Sequence, residues 1–160
     1  MGKKEQTITM IKVLFICHGN ICRSPMAEFV MKDLVARAGL SDKFYIGSAA
    51  TSREEIGNDI HRGTKEQLRK HGVAFSTRGA VQLCRADLDE YDYLIGMDGM
   101  NLRNMRRILG GDCGEKVYLL RDFTDTPGDI ADPWYTGNFD LTYEQVLEGC
   151  QGLLAKCIKE

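Results

Sequence analysis

The chain has 160 residues, 43% of them hydrophobic, and its 21 Lys and Arg against 23 Asp and Glu leave a net charge of −2. That length suits one domain, 1–160, with a sizeable core, and the composition is that of a globular chain, not a disordered one. The charge balance argues against nucleic acid as a partner, and no apolar run reaches the length of a membrane helix.

Residues 1–9 are polar, lack the apolar stretch of a signal peptide and are expected to be flexible, which points to a cytoplasmic protein with no membrane partner. Six cysteines in a domain this large do not make a disulfide scaffold. Cys150 and Cys157 share an apolar face with Val146, Leu147, Leu153 and Leu154, so they read as core thiols. Cys17 and Cys22 have no second cysteine pair at ligand spacing, so neither a metal nor another cofactor is expected.

The first predicted strand covers residues 12–16, a continuous apolar run, and the first helix covers 25–38. Ser24 suits the N-cap of that helix and Pro25 its first turn. Between strand and helix lies Cys17-His18-Gly19-Asn20-Ile21-Cys22-Arg23. A Cys and an Arg with five residues between them in such a turn let backbone N–H groups converge on an anion, with the helix N-terminus aimed at the same point. Arg23 can fork two oxygens of a phosphate, and the positive bowl favours the thiolate of Cys17, a nucleophile aimed at phosphorus. His18, Gly19, Asn20, Ile21 and Cys22 complete this phosphate loop, with Ser24 and Ser48 as hydrogen-bonding groups around it.

Further strands are predicted at 44–46, 93–97 and 117–120, and further helices at about 63–70, 100–109 and 143–156. Asp98 reads as the cap of the helix at 100–109, and Arg103, Arg106 and Arg107 as its solvated face. The segment 121–138, with Pro127, Gly128, Pro133 and Gly137, reads as a long functional loop carrying Asp125, Asp129 and Asp132 as candidate acids and Trp134 and Tyr135 as aromatic surface. Alternating strands and helices predict an α/β fold, a small doubly wound parallel sheet with helices on both faces.

The Cys17–Arg23 motif closely resembles the signature of the low-molecular-weight protein tyrosine phosphatases. Ser48-Ala49-Ala50-Thr51-Ser52 with Glu55-Ile56-Gly57-Asn58, His71-Gly72, Tyr91-Asp92-Tyr93 through Met97-Asp98 with Asn101-Leu102, and Asp132-Pro133-Trp134-Tyr135 match the family in order along the chain. The resemblance implies strand order 2-1-3-4 and a metal-free phosphatase acting on tyrosine-phosphorylated proteins, with inorganic phosphate as product. It implies Cys17 as nucleophile forming a phosphocysteine, Arg23 as phosphate clamp and Asp132 as general acid. Asp98 has a supporting place, and Glu54, Trp134 and Tyr135 form the substrate wall. It also supports a reversible Cys17–Cys22 disulfide. Two departures stand out. Arg53 and Glu54 occupy a loop that is often aromatic in the family, and Ser76–Gln82 lacks the family histidine that braces the phosphate loop.

Three rivals share part of this pattern. An arsenate reductase on the same fold needs two further redox cysteines close together, and Cys84 has Tyr91 where a second is wanted. Arginine phosphatases, also relatives, tend to carry Thr where this chain has Ile21. A phosphotyrosine-reading module needs neither a thiolate nor an acid.

Overall fold

Four short apolar runs pair side by side into one parallel sheet in the computed structural model, which describes residues 10–159. The expected flexibility of residues 1–9 lies outside the described residues. The strands are β1 (Ile11–Cys17), β2 (Phe44–Ala50), β3 (Tyr93–Gly96) and β4 (Val117–Leu119). Their order is β2-β1-β3-β4, as expected, and every pairing is parallel. Strand β1 is therefore central, and Cys17 ends it where the chain order reverses, the place where open α/β sheets form a crevice.

The two-residue strand period sorts the core. Val13, Phe15 and Cys17 join one buried cluster, with Met26, Val30, Val146 and Leu153 from helices α1 (Arg23–Arg37) and α6 (Phe139–Lys159). Leu14 and Ile16 point the other way and meet Leu94, Met105 and Leu109, the last two on helix α4 (Gly99–Leu109). The remaining helices are α2 (Arg62–Lys70) and two single turns, α3 (Asp87–Glu90) and α5 (Pro133–Thr136). Among the described residues, no helix is long and apolar enough to cross a membrane. Cys150 and Cys157 are buried on α6, as expected of core thiols.

The structure alters several expected bounds. Strand β2 runs on to Ala50 because Gly47, Ser48, Ala49 and Ala50 continue the ladder opposite Leu14, Phe15, Ile16 and Cys17. Helix α6 starts at Phe139, not at residue 143. The segment 121–138 is not all loop: it holds most of a 3-10 turn (Leu120–Phe123) and α5. Helix α5 forms because Asp132 caps it, Pro133 occupies its first turn and Gly137 ends it at φ 70°.

Ser24 is not an N-cap. Helix α1 starts two residues earlier than expected, at Arg23, and the cap position is Cys22, whose side chain makes no capping bond. The Ser24 hydroxyl is held instead by Asn20 and Cys17. A side-chain cap would consume an N–H group of the first turn, and here those groups face the site.

Helix α6 crosses the 3-10 turn at two glycines. A Cβ on Gly149 would lie 2.5 Å from Leu120 Cγ, and one on Gly152 would lie 1.9 Å from the Phe123 carbonyl oxygen. Gly152→Ala gains ~1 kcal/mol of helix propensity, but a methyl against a fixed backbone oxygen forces the helix away at ~1–3 kcal/mol or more. The substitution is expected to lower the urea midpoint at unchanged slope; an equal or higher midpoint would show that α6 can move off the turn.

Candidate active site

The loop after β1 turns its carbonyl oxygens outward. Cys17 O accepts the Thr51 N–H at 3.0 Å, His18 O the Ser52 N–H at 3.0 Å and Ile21 O the His61 N–H at 2.8 Å. Cys22 O accepts the Thr64 hydroxyl at 3.1 Å, and Asn20 O accepts the Arg78 guanidinium. No peptide among the described residues is cis. Across a trans peptide the next N–H points opposite to the carbonyl. The N–H groups of His18, Gly19, Ile21, Cys22 and Arg23 are thereby directed to the inside of the loop, above Cys17. This is an anion cradle.

Asn20 holds the loop in shape. It is buried and has φ 59°, the only positive value on a non-glycine residue among those described. Its side chain is fully used: Nδ2 donates to Ser24 Oγ at 2.7 Å and to Ser48 Oγ at 2.9 Å, and Oδ1 accepts from the Val81 N–H at 3.1 Å. Ser48 passes its own proton to Glu28 at 2.6 Å, and Glu28 pairs with Lys32. Since Ser24 Oγ accepts from Asn20, its hydroxyl proton is free for Cys17 Sγ, 3.1 Å away. The Ser24 N–H also points at that sulfur, at 3.4 Å.

The second thiol differs. Cys22 is pushed up to about 12, chiefly by burial and then by the neighbouring Cys17 and Asp132, so it stays a thiol at neutral pH.

Arg23 lies almost wholly buried at 2% exposure. Its Nη1 donates to Asp98 Oδ2 at 2.8 Å and to Ile130 O at 3.0 Å, and its Nη2 to Asp132 Oδ2 at 3.2 Å. Burial works against the charge, but Cys17, Asp132 and Asp98 outweigh it and leave the guanidinium pKa above its ordinary value. Asp98 is the expected cap, its Oδ1 accepting the Asn101 N–H at 2.8 Å, and its other oxygen orients Arg23. Asp132 is equally divided, with Oδ1 on the Trp134 N–H at 3.1 Å.

These residues line one cavity of about 470 Å³. The structure brings together there Cys17, His18, Gly19, Ile21, Cys22, Arg23, Glu54, Asp98, Asp132, Trp134 and Tyr135, while Asn20, Ser24 and Ser48 brace it from behind. Trp134 and Tyr135 are exposed at the mouth. Trp134 meets His61 edge-on at 5.9 Å, and His61 stacks on Phe139 at 5.2 Å, which fastens this wall to the residue that also ties Ile21. Sequence reasoning missed Glu55, Met100, Asn101 and Asn104 as lining residues. The i, i+3 spacing of Asn101 and Asn104 on a helix after Asp98 was an available signal. Glu55 had none, since it arrives by packing its side chain over Gly19. Among the described residues, no group of three or more His, Cys, Asp or Glu is arranged to hold a metal ion.

A family model described as low molecular weight phosphotyrosine protein phosphatase matches residues 12–160, and the chain belongs to that family. It is 42% identical over 153 residues to low molecular weight protein-tyrosine-phosphatase YfkJ of Bacillus subtilis, covering 94% of this chain and 98% of that one. The crystal structure of YfkJ superposes with a TM-score of 0.91 over 94% of this chain and 96% of that one. The Streptococcus pyogenes low molecular weight protein tyrosine phosphatase is 43% identical, with a TM-score of 0.84 over 92% and 93% of the two chains. A Drosophila arginine phosphatase, DARP, is also similar, at 29% identity and a TM-score of 0.82 over 91% and 97%.

Asn20 gives a direct test of the loop's construction. Asn20→Ala loses three hydrogen bonds, one buried and two part-buried, at ~1 kcal/mol each and keeps a Cβ in the left-handed region at ~1–2 kcal/mol without the side-chain bonds that offset it. Asn20→Gly loses the same bonds without the backbone strain. Both should be less stable by thermal or urea unfolding, Asn20→Ala by ~1 kcal/mol more than Asn20→Gly. Equal stabilities would show that the positive φ carries no strain.

Proposed function

We propose that the chain is a protein tyrosine phosphatase that hydrolyses phosphotyrosine through a phosphocysteine on Cys17. The observation that carries this reading is the loop whose carbonyls are tied outward, leaving five N–H groups and Arg23 around one sulfur. A phosphate dianion fits that cradle, with its equatorial oxygens on the N–H groups and the Arg23 fork. Cys17 Sγ then attacks phosphorus in line with the ester oxygen; the S–P bond forms as the P–O bond to the phenol breaks. Asp132, at the cavity mouth, gives its proton to the departing oxygen. In the second step water attacks phosphorus, Asp132 takes up a water proton, the S–P bond breaks and inorganic phosphate leaves. The Ser24 hydroxyl stabilises the sulfur anion that departs.

Ile21, Trp134 and Tyr135 give the cavity apolar lining suited to a flat phenyl ring. The likeness to an arginine phosphatase supports the second reading, phosphoarginine hydrolysis, for which Ile21 is the residue that argues against it. The arsenate reductase reading has little to draw on. Of the cysteines beyond the loop, Cys113, Cys150 and Cys157 are buried and Cys84 alone is exposed.

Kinetics on a series of aryl phosphates test the mechanism. Cys17→Ser should abolish turnover while still binding phosphate. Asp132→Ala should slow turnover by about 10²–10⁴-fold for poor leaving groups, with the deficit shrinking as the phenol becomes more acidic. Substantial activity in Cys17→Ser, or a deficit that is constant across leaving groups, would remove the covalent step or the acid role respectively. Phosphotyrosine peptides should be cleaved ahead of phosphoserine and phosphoarginine peptides, and the reverse order for phosphoarginine would favour the second reading.

The loop also supports reversible oxidation. Peroxide converts the Cys17 thiolate to a sulfenic acid with loss of hydroxide; the Cys22 sulfur then displaces water to form a disulfide. A reducing compartment such as the cytoplasm keeps both thiols reduced. After a peroxide pulse, thiol reductant should restore wild-type activity and restore Cys22→Ser poorly. Equal recovery would exclude Cys22 as the resolving thiol.

A further inference from the structure

Arg78 lies 58 residues from Asn20 in sequence, yet its guanidinium donates to the Asn20 carbonyl through Nη2 and to the Asn58 carbonyl at 3.2 Å through Nη1. The segment that carries it is pinned along its length. The Arg78 N–H donates to Asp59 Oδ1 at 3.1 Å, Ala80 exchanges backbone bonds with Gly57 and Asn58, and the Val81 carbonyl accepts from the Ala50 N–H. A Cβ on Gly79 would lie 2.9 Å from the Gly57 carbonyl oxygen, so the two segments are in direct contact. The same segment holds Asn20 twice, its side chain through the Val81 N–H and its main chain through Arg78.

The guanidinium is half-buried, and its hydrogen bonds go to carbonyls. No carboxylate forms an ion pair with it among the described residues. The two nearby acids spend their oxygens on other groups than the guanidinium: Glu28 on Lys32 and Ser48, and Asp59 on Lys65 at 2.6 Å and on the Arg78 main-chain N–H. Burial lowers the pKa of Arg78 from its ordinary value, against a smaller opposing pull from Glu28, Cys17 and Asp59. This is a partly desolvated cation one peptide unit behind the cradle, with no counterion of its own.

We propose that Arg78 is a positioning residue of the anion cradle: it fixes the left-handed Asn20 peptide so that the loop N–H groups converge, and its unpaired charge strengthens the hold on a bound phosphate. The inference rests on the phosphatase reading above and extends it to a residue outside the cavity. Removing the guanidinium leaves the Asn20 carbonyl without a donor and lets its peptide rotate. The effect falls first on binding of the dianion.

The test compares Arg78→Met, Arg78→Lys and Arg78→Gln by competitive inhibition with inorganic phosphate and by kcat and KM on an aryl phosphate. Arg106→Met, which removes an exposed charge on α4, is the control. Arg78→Met should weaken phosphate inhibition by about tenfold or more, the loss of a charge-assisted hydrogen bond, and raise KM. Arg78→Lys should recover most of that affinity and Arg78→Gln little of it, while Arg106→Met stays within about twofold of wild type. A folded Arg78→Met with wild-type phosphate inhibition overturns the proposal. So does equal phosphate affinity in Arg78→Lys and Arg78→Gln, a comparison that stands even if Arg78→Met does not fold. Absence of aryl phosphatase activity in the wild type would instead overturn the phosphatase reading itself.

Discussion

A loop can aim all its N–H groups at one point only if its carbonyls find donors elsewhere. That constraint governs the arrangement around Cys17. The outward donors come from the end of β2, the chain entering α2, α2 itself and the segment 78–82. The loop is therefore assembled by tertiary contacts and has little local stability of its own. These ties are hydrogen bonds within the protein, and they preorganise the backbone for an anion. Asn20 is the point of greatest demand, since the peptide must take a left-handed turn and its side chain must serve three partners at once.

A second constraint ties the cradle to the loop carrying Asp132. Arg23 is buried, and a buried cation without partners is strongly unfavourable. Asp98 and Asp132 supply two carboxylates to one guanidinium. Asp98 also caps α4 and Asp132 caps α5, so the helix that lines the cavity and the loop bearing the aromatic wall are both anchored to the residue proposed to hold phosphate. A dianion entering the cradle competes with Asp132 for Arg23. In the proposed mechanism that competition frees one oxygen of Asp132 for the proton-donor role.

Legibility in the sequence followed the range of the interaction. Strand β1 was readable because its apolar run is continuous, and the Cys17–Arg23 motif because every member lies in one turn. The second half of β2 was not, because Gly47 and Ser48 carry no strand signal and are held by pairing with β1. Asp98 was correctly read as a cap, since that bond spans three residues. Its bond to Arg23 spans 75 and has no local mark. Ser24 was misread by the same local rule: a serine before a proline at a helix start is a good cap until a sulfur and an asparagine claim its hydroxyl. Arg78 shows the limit most plainly, because only the folded chain reveals which carbonyls it meets.

Charge balance links these parts to the chemistry. The cavity and its backing set two guanidiniums, Arg23 and Arg78, against the carboxylates of Glu54, Glu55, Asp98 and Asp132 and the proposed thiolate of Cys17. A phosphate dianion added to that set leaves an excess of negative charge in a partly buried space, which is unfavourable at low effective dielectric. Asp98 keeps both the cap of α4 and its bond to Arg23, which leaves Asp132 for the acid role proposed above. In the proposed mechanism a carboxylate then remains beside the phosphocysteine once the phenol has gone, available to activate water. On the proposed mechanism the second carboxylate on Arg23 does more than neutralise it: the residue that pairs with the phosphate clamp is also the proton donor, so one ion pair joins the cradle to the loop that carries the aromatic wall.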